Sequence, residues 1–243
     1  MVIPDPLPVA ISGVRGRMGR MVREAVLASP DLALVAETDQ GDDLAAALRS
    51  SGATVLVDFT TPEVGADHLD LALELGVHPV VGTTGIPRAR LDDAVARARA
   101  TGTGGVVAPN FALGAVLMME LSRRAAPHLP RIEIIESHHP AKLDAPSGTS
   151  LSTRERLLRA TGGARPIPIH SVRLPGFVAT QEVILGGTGE RLVIRHDTID
   201  RSCFAPGILL AVRRAPRLGA LLLDLAPLLF PEESSDSGED PAD

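Results

Sequence analysis

Short apolar runs alternate with stretches of helical periodicity through the first half of the chain. Five runs have the length and composition of buried strands: PVAISG (8–13), LALVAETD (32–39), TVLVDFT (54–60), HPVVGTT (78–84) and GGVVAP (104–109). The stretch after the first run places its apolar residues on one helical face: Met18, Met21, Val22, Ala25 and Val26. Because strands that alternate with helices are joined by right-handed crossovers, the pattern predicts a parallel sheet covered on both faces.

From residue 112 onward the pattern changes. A long amphipathic helix is predicted over 112–129, the run IEIIE follows, and another helix is predicted from about Ser150 to Ala160. Three runs of β type come next: HSVRLPGF (170–177), QEVILGG (181–187) and ERLVIRHDT (190–198). The turn Gly187-Thr188-Gly189 is typical of a hairpin, so we expect these runs to form a mostly antiparallel sheet.

The two patterns predict two domains. We expect an α/β, Rossmann-like dinucleotide-binding domain over 1–111, completed by the apolar segments within 206–231, and an α+β domain over 112–205. The last stretch, 232–243, holds six acidic residues and neither basic nor large apolar ones. That composition indicates a disordered, solvated tail, with an interaction segment as the alternative.

Composition and charge argue against several kinds of partner. The net charge of −6 resides in the acidic tail, which leaves 24 acidic against 24 basic residues elsewhere in the 243-residue chain. A neutral body argues against a nucleic-acid groove or a polybasic membrane patch. No apolar run has the length of a membrane helix, no basic segment begins a signal peptide, and Cys203 is the only cysteine. We therefore expect a cytoplasmic location.

Three glycines follow the first predicted strand at a spacing of three residues. Gly13, Gly16 and Gly19 form a G-x-x-G-x-x-G variant of the dinucleotide fingerprint, and a plain turn is the alternative. Glycines at such a turn let the backbone approach a pyrophosphate at a helix N-terminus. The early strand, the following helix and Asp39 about twenty residues on favour nucleotide binding. The predicted loop comprises Gly13, Val14, Arg15, Gly16, Arg17, Met18 and Gly19.

Asp39 favours NADH over NADPH, because its carboxylate can bond ribose hydroxyls and repels a 2′-phosphate. Arg17, in the glycine loop, offsets that repulsion. We therefore expect use of both NADH and NADPH, with NADH favoured.

Other predicted strand ends lie at the same edge of the sheet, where open α/β folds bind ligands. Thr83, Thr84 and Asn110 are candidates for hydrogen bonds to the nicotinamide side, and ordinary polar turns are the alternative. The full set of candidate cofactor residues at these ends is Phe59, Gly82, Thr83, Thr84, Ala108, Pro109, Asn110 and Phe111.

The stretch SHHPAKLDAPSGTS (137–150) contains Lys142, the only lysine among 24 basic residues. A chain rich in Ala, Arg, Gly and Pro can retain one lysine by chance. The chemical alternative is a proton donor, because a desolvated lysine can release a proton near neutral pH and an arginine cannot.

The prolines of this stretch exclude a helix over 138–146, which places His138, His139 and Lys142 on a loop after a strand. Ser147 is a plausible N-cap, so the N–H groups of Gly148, Thr149 and Ser150 would face outward as an anion site. Two histidines and a lysine beside a helix N-terminus favour an anionic ligand over loop histidines held by backbone bonds. We expect no metal, since only Glu136 and Asp144 could complete a ligand set.

Six motifs together resemble the 4-hydroxy-tetrahydrodipicolinate reductase (dihydrodipicolinate reductase) family. They are GVRGRMGR, DFTTPE, VVGTTG, APNFALG, ESHHPAKLDAPSGTS and RLVIRHDTIDRSCFAPG, and the resemblance covers about residues 8–231. It implies an NAD(P)H-dependent oxidoreductase that reduces 4-hydroxy-2,3,4,5-tetrahydrodipicolinate in the diaminopimelate route to lysine. It also implies a homotetramer in which the 112–205 domains associate.

By this resemblance His138 is the catalytic proton donor or acceptor and Lys142 the proton donor. His139, Ser147, Gly148 and Thr149 would bind the dicarboxylate substrate. The chain departs from the family in a short segment, ATGGARPIPI (160–169), and in Thr61, where some members carry a basic residue. Two alternatives are another two-domain NAD(P)-dependent oxidoreductase acting on an amino or keto dicarboxylate, and a nucleotide-sensing regulatory protein.

Overall fold

The computed structural model describes residues 4–163 and 165–231. They divide into two compact units: the first runs to Phe111 and resumes at Phe204, and the second comprises Ala112–Cys203. In the described ranges no helix is long and apolar enough to cross a membrane. The predicted acidic tail, 232–243, lies outside the described residues.

The described strands are β1 (Leu7–Ser12), β2 (Leu32–Thr38), β3 (Val55–Asp58), β4 (His78–Val81), β5 (Gly105–Val107), β6 (Arg131–His138), β7 (Ile169–Arg173), β8 (Ala179–Gly187), β9 (Glu190–Thr198) and β10 (Leu221–Leu222). The α-helices are α1 (Arg17–Leu27), α2 (Leu44–Ser51), α3 (Pro62–Glu74), α4 (Arg88–Thr101), α5 (Leu113–Ala125), α6 (Gly148–Ala160), α7 (Ala205–Arg214) and α8 (Ala226–Leu229).

The first unit is built on a parallel sheet with the strand order β10-β5-β4-β3-β1-β2. Every residue of β3 and β4 is buried, as expected for strands covered by helices on both faces. The chain leaves β1 toward β2 on one side and then continues through β3, β4 and β5 on the other. The carboxyl ends of β1 and β3 therefore form the topological switch point, where such sheets bind ligands. The predicted α/β class is confirmed.

The sixth strand, β10, was not predicted as a strand. The segment 221–230 was expected only to return to the first domain, and Leu221 and Leu222 pair in parallel with Gly105 and Val106. Two residues are too few to show a period of two, so their strand conformation depends on the open edge of β5.

The second unit contains a four-stranded sheet with the order β7-β6-β8-β9. The β6–β8 and β8–β9 pairs are antiparallel, and the predicted hairpin at Gly187-Thr188-Gly189 joins β8 to β9. The predicted mostly antiparallel sheet is confirmed, and its one exception is β7, which was grouped with the antiparallel strands and instead pairs in parallel with β6. Helix α6 lies between β6 and β7 in the chain. It carries the chain back to the end of the sheet where β6 began, so β7 runs parallel to β6.

The register of β6 sets the geometry of the second unit. Alternate residues of a strand share a face, so Glu136 and His138 point the same way as the buried Ile132 and Ile134. Opposite Glu136 stand Ser171 on β7 and Gln181 on β8, and opposite His138 stand Arg173 and Ala179. Gln181 Nε2 donates to Thr153 Oγ1 of α6 at 2.7 Å, so α6 packs over this face. One end of an otherwise apolar sheet face is therefore polar.

His78, the first residue of β4, gives the first unit an acid-sensitive point. Its side chain is buried, Nδ1 lies 2.9 Å from the Gly104 carbonyl oxygen, and burial lowers the pKa of the ring. A histidine with a lowered folded pKa is protonated first in the unfolded chain, so stability falls as pH drops through the unfolded value near 6.5.

We expect His78→Asn, which retains a donor for the Gly104 carbonyl, to reduce the loss of Tm on acidification from about pH 7 to about pH 5. Thermal melts of both proteins across that range measure the effect. Parallel Tm curves would show that His78 contributes nothing to the acid response.

Candidate functional site

The loop between β1 and α1 brings the three predicted glycines into a tight turn. Gly13 has φ +79°, and the amides of Gly13 and Val14 donate to the Thr38 carbonyl at 2.9 and 3.2 Å. A Cβ on Gly19 would lie 2.1 Å from the Gly13 carbonyl oxygen, so only glycine allows α1 to pack this closely. Gly16 is the N-cap of α1 and brings no side chain to the first helical amides. An anion can therefore reach the N-terminus of α1, as binding of a dinucleotide pyrophosphate requires.

Asp39 lies directly after β2 and faces this loop. Its carboxylate accepts hydrogen bonds from the Arg15 backbone N–H at 2.7 Å and from the Gln40 N–H at 2.8 Å. These two amides lower the pKa of the carboxyl group. An ionised acceptor therefore stands where a ribose diol would bind, while the Arg17 side chain is exposed at the start of α1.

A cleft of about 500 Å³ opens at the carboxyl ends of β1, β2 and β3. This is the switch point of the sheet, and the position fits a dinucleotide. Four of the predicted cofactor residues line it: Gly13, Gly16, Asp39 and Phe59. The other lining residues are Ser12, Gln40, Gly41, Asp42, Thr60, Thr61, Val64 and His68. Of the remaining loop residues, Val14 and Met18 are half-buried, Gly19 is buried, and Arg15 and Arg17 are exposed.

The residues after β4 and β5 pack around Phe59. A Cβ on Gly82 would lie 1.9 Å from the Phe59 ring, and the Phe59 and Phe111 rings meet edge to face with centroids 5.9 Å apart. With the Phe59 ring in this position, residue 82 has no space for a side chain. The other predicted residues of these strand ends differ in exposure: Thr84 and Pro109 are exposed, Asn110 is half-buried, and Thr83 and Ala108 are buried.

Sequence reasoning missed the buried carboxylate that organises this edge. Asp58, the last residue of β3, is 0% exposed, and it accepts hydrogen bonds from the Thr60 and Thr83 hydroxyls, each at 2.9 Å. His68 Nδ1 lies 2.7 Å from its other oxygen. The Thr83 hydroxyl, predicted to bond the nicotinamide side, thus donates its proton to Asp58, and its oxygen can still accept a hydrogen bond. The only signal in the sequence that pointed to Asp58 was its position at the end of an apolar run.

The loop that follows β6 begins one residue later than predicted. His138 is the last residue of β6 and not part of the loop, whereas His139 and Lys142 lie on the loop itself. The Lys142 amide donates to the His139 carbonyl at 3.1 Å, which closes a turn. As a strand residue, His138 is held by its neighbours on β7 and β8.

A buried ionic network surrounds His138, and two of its members were not predicted. Glu136 is 0% exposed and lies with Oε2 2.5 Å from His138 Nδ1, while Arg173 donates to both of its oxygens at 2.8 and 3.0 Å. Burial raises the pKa of Glu136, but hydrogen bonds from Arg173, Ser171 and His138 outweigh it and the net pKa is lowered. In the sequence, Glu136 was singled out as a candidate metal ligand and as the first residue of the motif ESHHPAKLDAPSGTS, whereas Arg173 lies in none of the six motifs.

The pKa of His138 is lowered, chiefly by burial and further by the charges of Lys142 and Arg173, although Glu136 opposes the shift. A histidine whose pKa is lowered below its usual value is mostly neutral at pH 7. Because an ionised carboxylate only accepts hydrogen bonds, Nδ1 carries the proton and Nε2 carries the lone pair. The ring is ready to exchange a proton through Nε2.

Lys142 is paired with Asp144, a contact that sequence reasoning did not predict. The ammonium Nζ donates to the two carboxylate oxygens of Asp144 at 2.7 and 2.8 Å, and this bond lowers the pKa of the carboxyl group. Within residues 4–163 and 165–231, no three His, Cys, Asp or Glu side chains are grouped to hold a metal ion.

The amino end of α6 completes the loop. Ser147 is its N-cap, as predicted, and the helix begins at Gly148, two residues before the predicted start. The Ser147 hydroxyl accepts the Ser150 N–H at 3.2 Å, so Ser150 is not an outward donor as predicted. Gly148 is exposed and Thr149 half-buried. The first turn of α6 carries no side-chain carboxylate that would repel an anion.

Two family models match the chain: "Dihydrodipicolinate reductase, N-terminus" over residues 7–111 and "Dihydrodipicolinate reductase, C-terminus" over 114–228. A Coxiella burnetii protein named 4-hydroxy-tetrahydrodipicolinate reductase is 42% identical over 235 residues, covering 91% of this chain and 98% of that protein. A Mycolicibacterium smegmatis protein of the same name is 43% identical over 241 residues, with the same coverage.

A solved structure, a dipicolinate-bound dihydrodipicolinate reductase from Paenisporosarcina sp., is similar in fold and sequence. It matches with a TM-score of 0.83 and 33% identity, covering 90% of this chain and 98% of its own. The family models span both units and include the glycine loop and the His138 to Thr149 stretch. The chain therefore belongs to the dihydrodipicolinate reductase family.

Proposed function

We propose that the protein reduces 4-hydroxy-2,3,4,5-tetrahydrodipicolinate to tetrahydrodipicolinate with NAD(P)H, in the diaminopimelate route to lysine. The observation that carries the proposal is the stretch from His138 to Thr149, where an imidazole at the end of β6, an ammonium on the following loop and the N-terminus of α6 follow one another. The named relatives, similar over nearly their whole length, support the same reaction. The net reaction takes up a hydride and a proton and releases water.

We propose that His139, Ser147, Gly148 and Thr149 bind the dicarboxylate. A carboxylate is stabilised at a helix N-terminus by the backbone N–H groups of the first turn and by the helix dipole. The exposure of Gly148 is consistent with this role. The neighbouring charge of Lys142 further favours a dianion over a neutral ring.

In this proposal, His138 and Lys142 manage the proton. The neutral ring of His138 accepts or returns a proton at Nε2, since Nδ1 is bonded to Glu136. Lys142 brings an ammonium proton to the same stretch. A positioned acid of this kind accelerates a reduction in which hydride arrives at carbon and a proton is added elsewhere.

The glycine loop, Asp39 and the strand ends fit a nicotinamide dinucleotide, because the loop accepts no side chain at 19 and the cleft lies at the switch point. Bound NAD(P)H supplies the hydride. We propose that the loop amides and Arg17 bind phosphate and that Asp39 accepts the ribose hydroxyls. We infer a preference for NADH from Asp39.

We expect Arg17→Ala to raise KM for NADPH roughly 10- to 100-fold and to change KM for NADH little. The reason is that Arg17 offers a charge-assisted contact to the 2′-phosphate, which NADH lacks. KM for each cofactor at saturating substrate measures the difference. The matched control is Arg20→Ala, since Arg20 is also an exposed arginine and lies one turn further along α1. Equal losses with the two cofactors would contradict the assignment.

The test of the function is the oxidation of NADH or NADPH with substrate made freshly by dihydrodipicolinate synthase. Cofactor oxidation that depends on that substrate is the expected result. Activity with another amino or keto dicarboxylate, and none with this one, would favour a different two-domain oxidoreductase. Cofactor binding without any turnover would favour a nucleotide sensor.

We infer a homotetramer that associates through the second unit. In support, β9 is an edge strand whose Leu192 and Val193 are 41% and 42% exposed. An unpaired edge with exposed apolar side chains is suited to pairing with another chain. Light scattering coupled to size exclusion measures the mass directly.

A cytoplasmic location remains our inference from the single cysteine.

A further inference from the structure

Arg173 contacts three separate parts of the second unit. Its guanidinium donates to both oxygens of Glu136, to the Val172 carbonyl at 2.8 Å and to the Asp144 carbonyl at 2.7 Å. Glu136 belongs to β6, Arg173 to β7, and Asp144 to the loop that carries Lys142. One side chain therefore connects the strand that ends in His138 with the loop that holds Lys142.

Glu136 is the other half of this unit. Its carboxylate is fully buried, and a buried carboxylate requires a paired cation and full hydrogen bonding. Arg173 supplies both through a bidentate contact, which a lysine cannot reproduce. Glu136 also accepts hydrogen bonds from Ser171 and from His138 Nδ1, and the bond from His138 orients the ring. Such a partner acts on catalysis through the tautomer and orientation of a histidine, without touching the substrate.

We propose that Glu136 and Arg173 are positioning residues for the reduction, and that they hold the His138 ring and the Lys142 loop in one geometry. The inference rests on the proposed reductase activity. Glu136 fixes the Nδ1–H tautomer and leaves Nε2 for the proton. Arg173 keeps Glu136 ionised and anchors the loop through the Asp144 backbone.

The charged groups around His138 come from three elements. Glu136 lies on its own strand, Arg173 on β7, and Lys142 and Asp144 on the loop. The opposing residue on β8 is Ala179, which has no charge. Of these groups, Glu136 is the one whose hydrogen bond and charge favour the protonated ring. Its removal therefore moves the titration of His138 to lower pH.

The first test is Glu136→Gln, an isosteric change that removes the charge. We expect kcat to fall about 100-fold, with little change in substrate KM, because general acid–base catalysis loses its oriented ring. We also expect the acid limb of the kcat/KM profile against pH to move to lower pH. A packing role alone would not move that limb.

The second variant, Arg173→Lys, separates the two contacts of the guanidinium. Lysine keeps the charge for Glu136 but cannot also hold the Asp144 carbonyl, so we expect a raised KM for substrate and an acid limb close to that of the wild type. The matched control is Glu133→Gln, which removes another Glu–His pair between β6 and β7 (Glu133 to His170, 2.8 Å) on the opposite face of the sheet. The control should keep wild-type constants and pH profile.

Circular dichroism and thermal melts establish that each variant is folded. If Glu136→Gln does not fold, two measurements still decide: the constants of Arg173→Lys, and nitrogen NMR of histidine-labelled wild-type protein, where His138 should show the Nδ1–H tautomer. Wild-type constants in folded variants, or an Nε2–H tautomer, would overturn the inference. Absence of reductase activity in the wild type would refute the proposed function instead. The tautomer of His138 would still test whether Glu136 positions the ring.

Discussion

His138→Gln is expected to lower kcat by roughly 10²- to 10⁴-fold, the usual contribution of a positioned general acid or base. Glutamine is close in size and can still hydrogen-bond Glu136, so the buried carboxylate and its bond to Arg173 keep their partners. What is lost is a group that exchanges a proton near neutral pH. The affinity for NADH should be unchanged, because the residues proposed to bind the cofactor lie in the first unit.

Steady-state kinetics and NADH binding by fluorescence measure both halves of this prediction. His170→Gln is the control, since His170 is a β7 histidine that also pairs with a glutamate, Glu133, but is exposed. It should retain wild-type kcat. A His138→Gln protein with near-normal kcat would remove the imidazole from the mechanism.

Lys142→Arg is expected to lower kcat by about 100-fold while the loop stays in place. The guanidinium keeps the positive charge and can still pair with Asp144, so the ion pair within the loop is preserved. Arginine fails as a proton donor because its pKa is too high, and its planar fork is larger than an ammonium. Loss of kcat in this variant therefore reports proton transfer and not the loss of a charge.

Pyridine-2,6-dicarboxylate, a flat dianion, separates binding from chemistry at this loop. Its inhibition constant should change little in Lys142→Arg and should rise in Thr149→Ala, since we propose that one carboxylate docks at the amino end of α6. The experiment compares kcat, KM and the inhibition constant in each protein. If Lys142→Arg retains most of its kcat, the lysine is structural, and its survival in an arginine-rich chain needs no chemical reason.

Local signals in the sequence were sufficient for strands β1 to β5 and the glycine loop of the first unit. Apolar runs long enough for buried strands, helices between them and glycines at a βα turn follow from backbone geometry, so the parallel sheet and the loop from Gly13 to Gly19 were predictable. The same holds for the N-cap at Ser147, because a cap involves residues three positions apart.

Features that depend on register and on distant partners were decided by the tertiary structure. The strand β10 exists only because β5 offers an edge, and β7 is parallel because α6 carries the chain across. Glu136 and Arg173 are 37 positions apart, and only the β6–β7 register places them in contact around His138. Asp58 likewise gains its role from Thr83 and His68, on other elements. The sequence by itself determined which residues carry reactive groups. The burial and pairing that set their charge states required the folded sheets, because desolvation and ion pairing arise between segments that are distant in the chain.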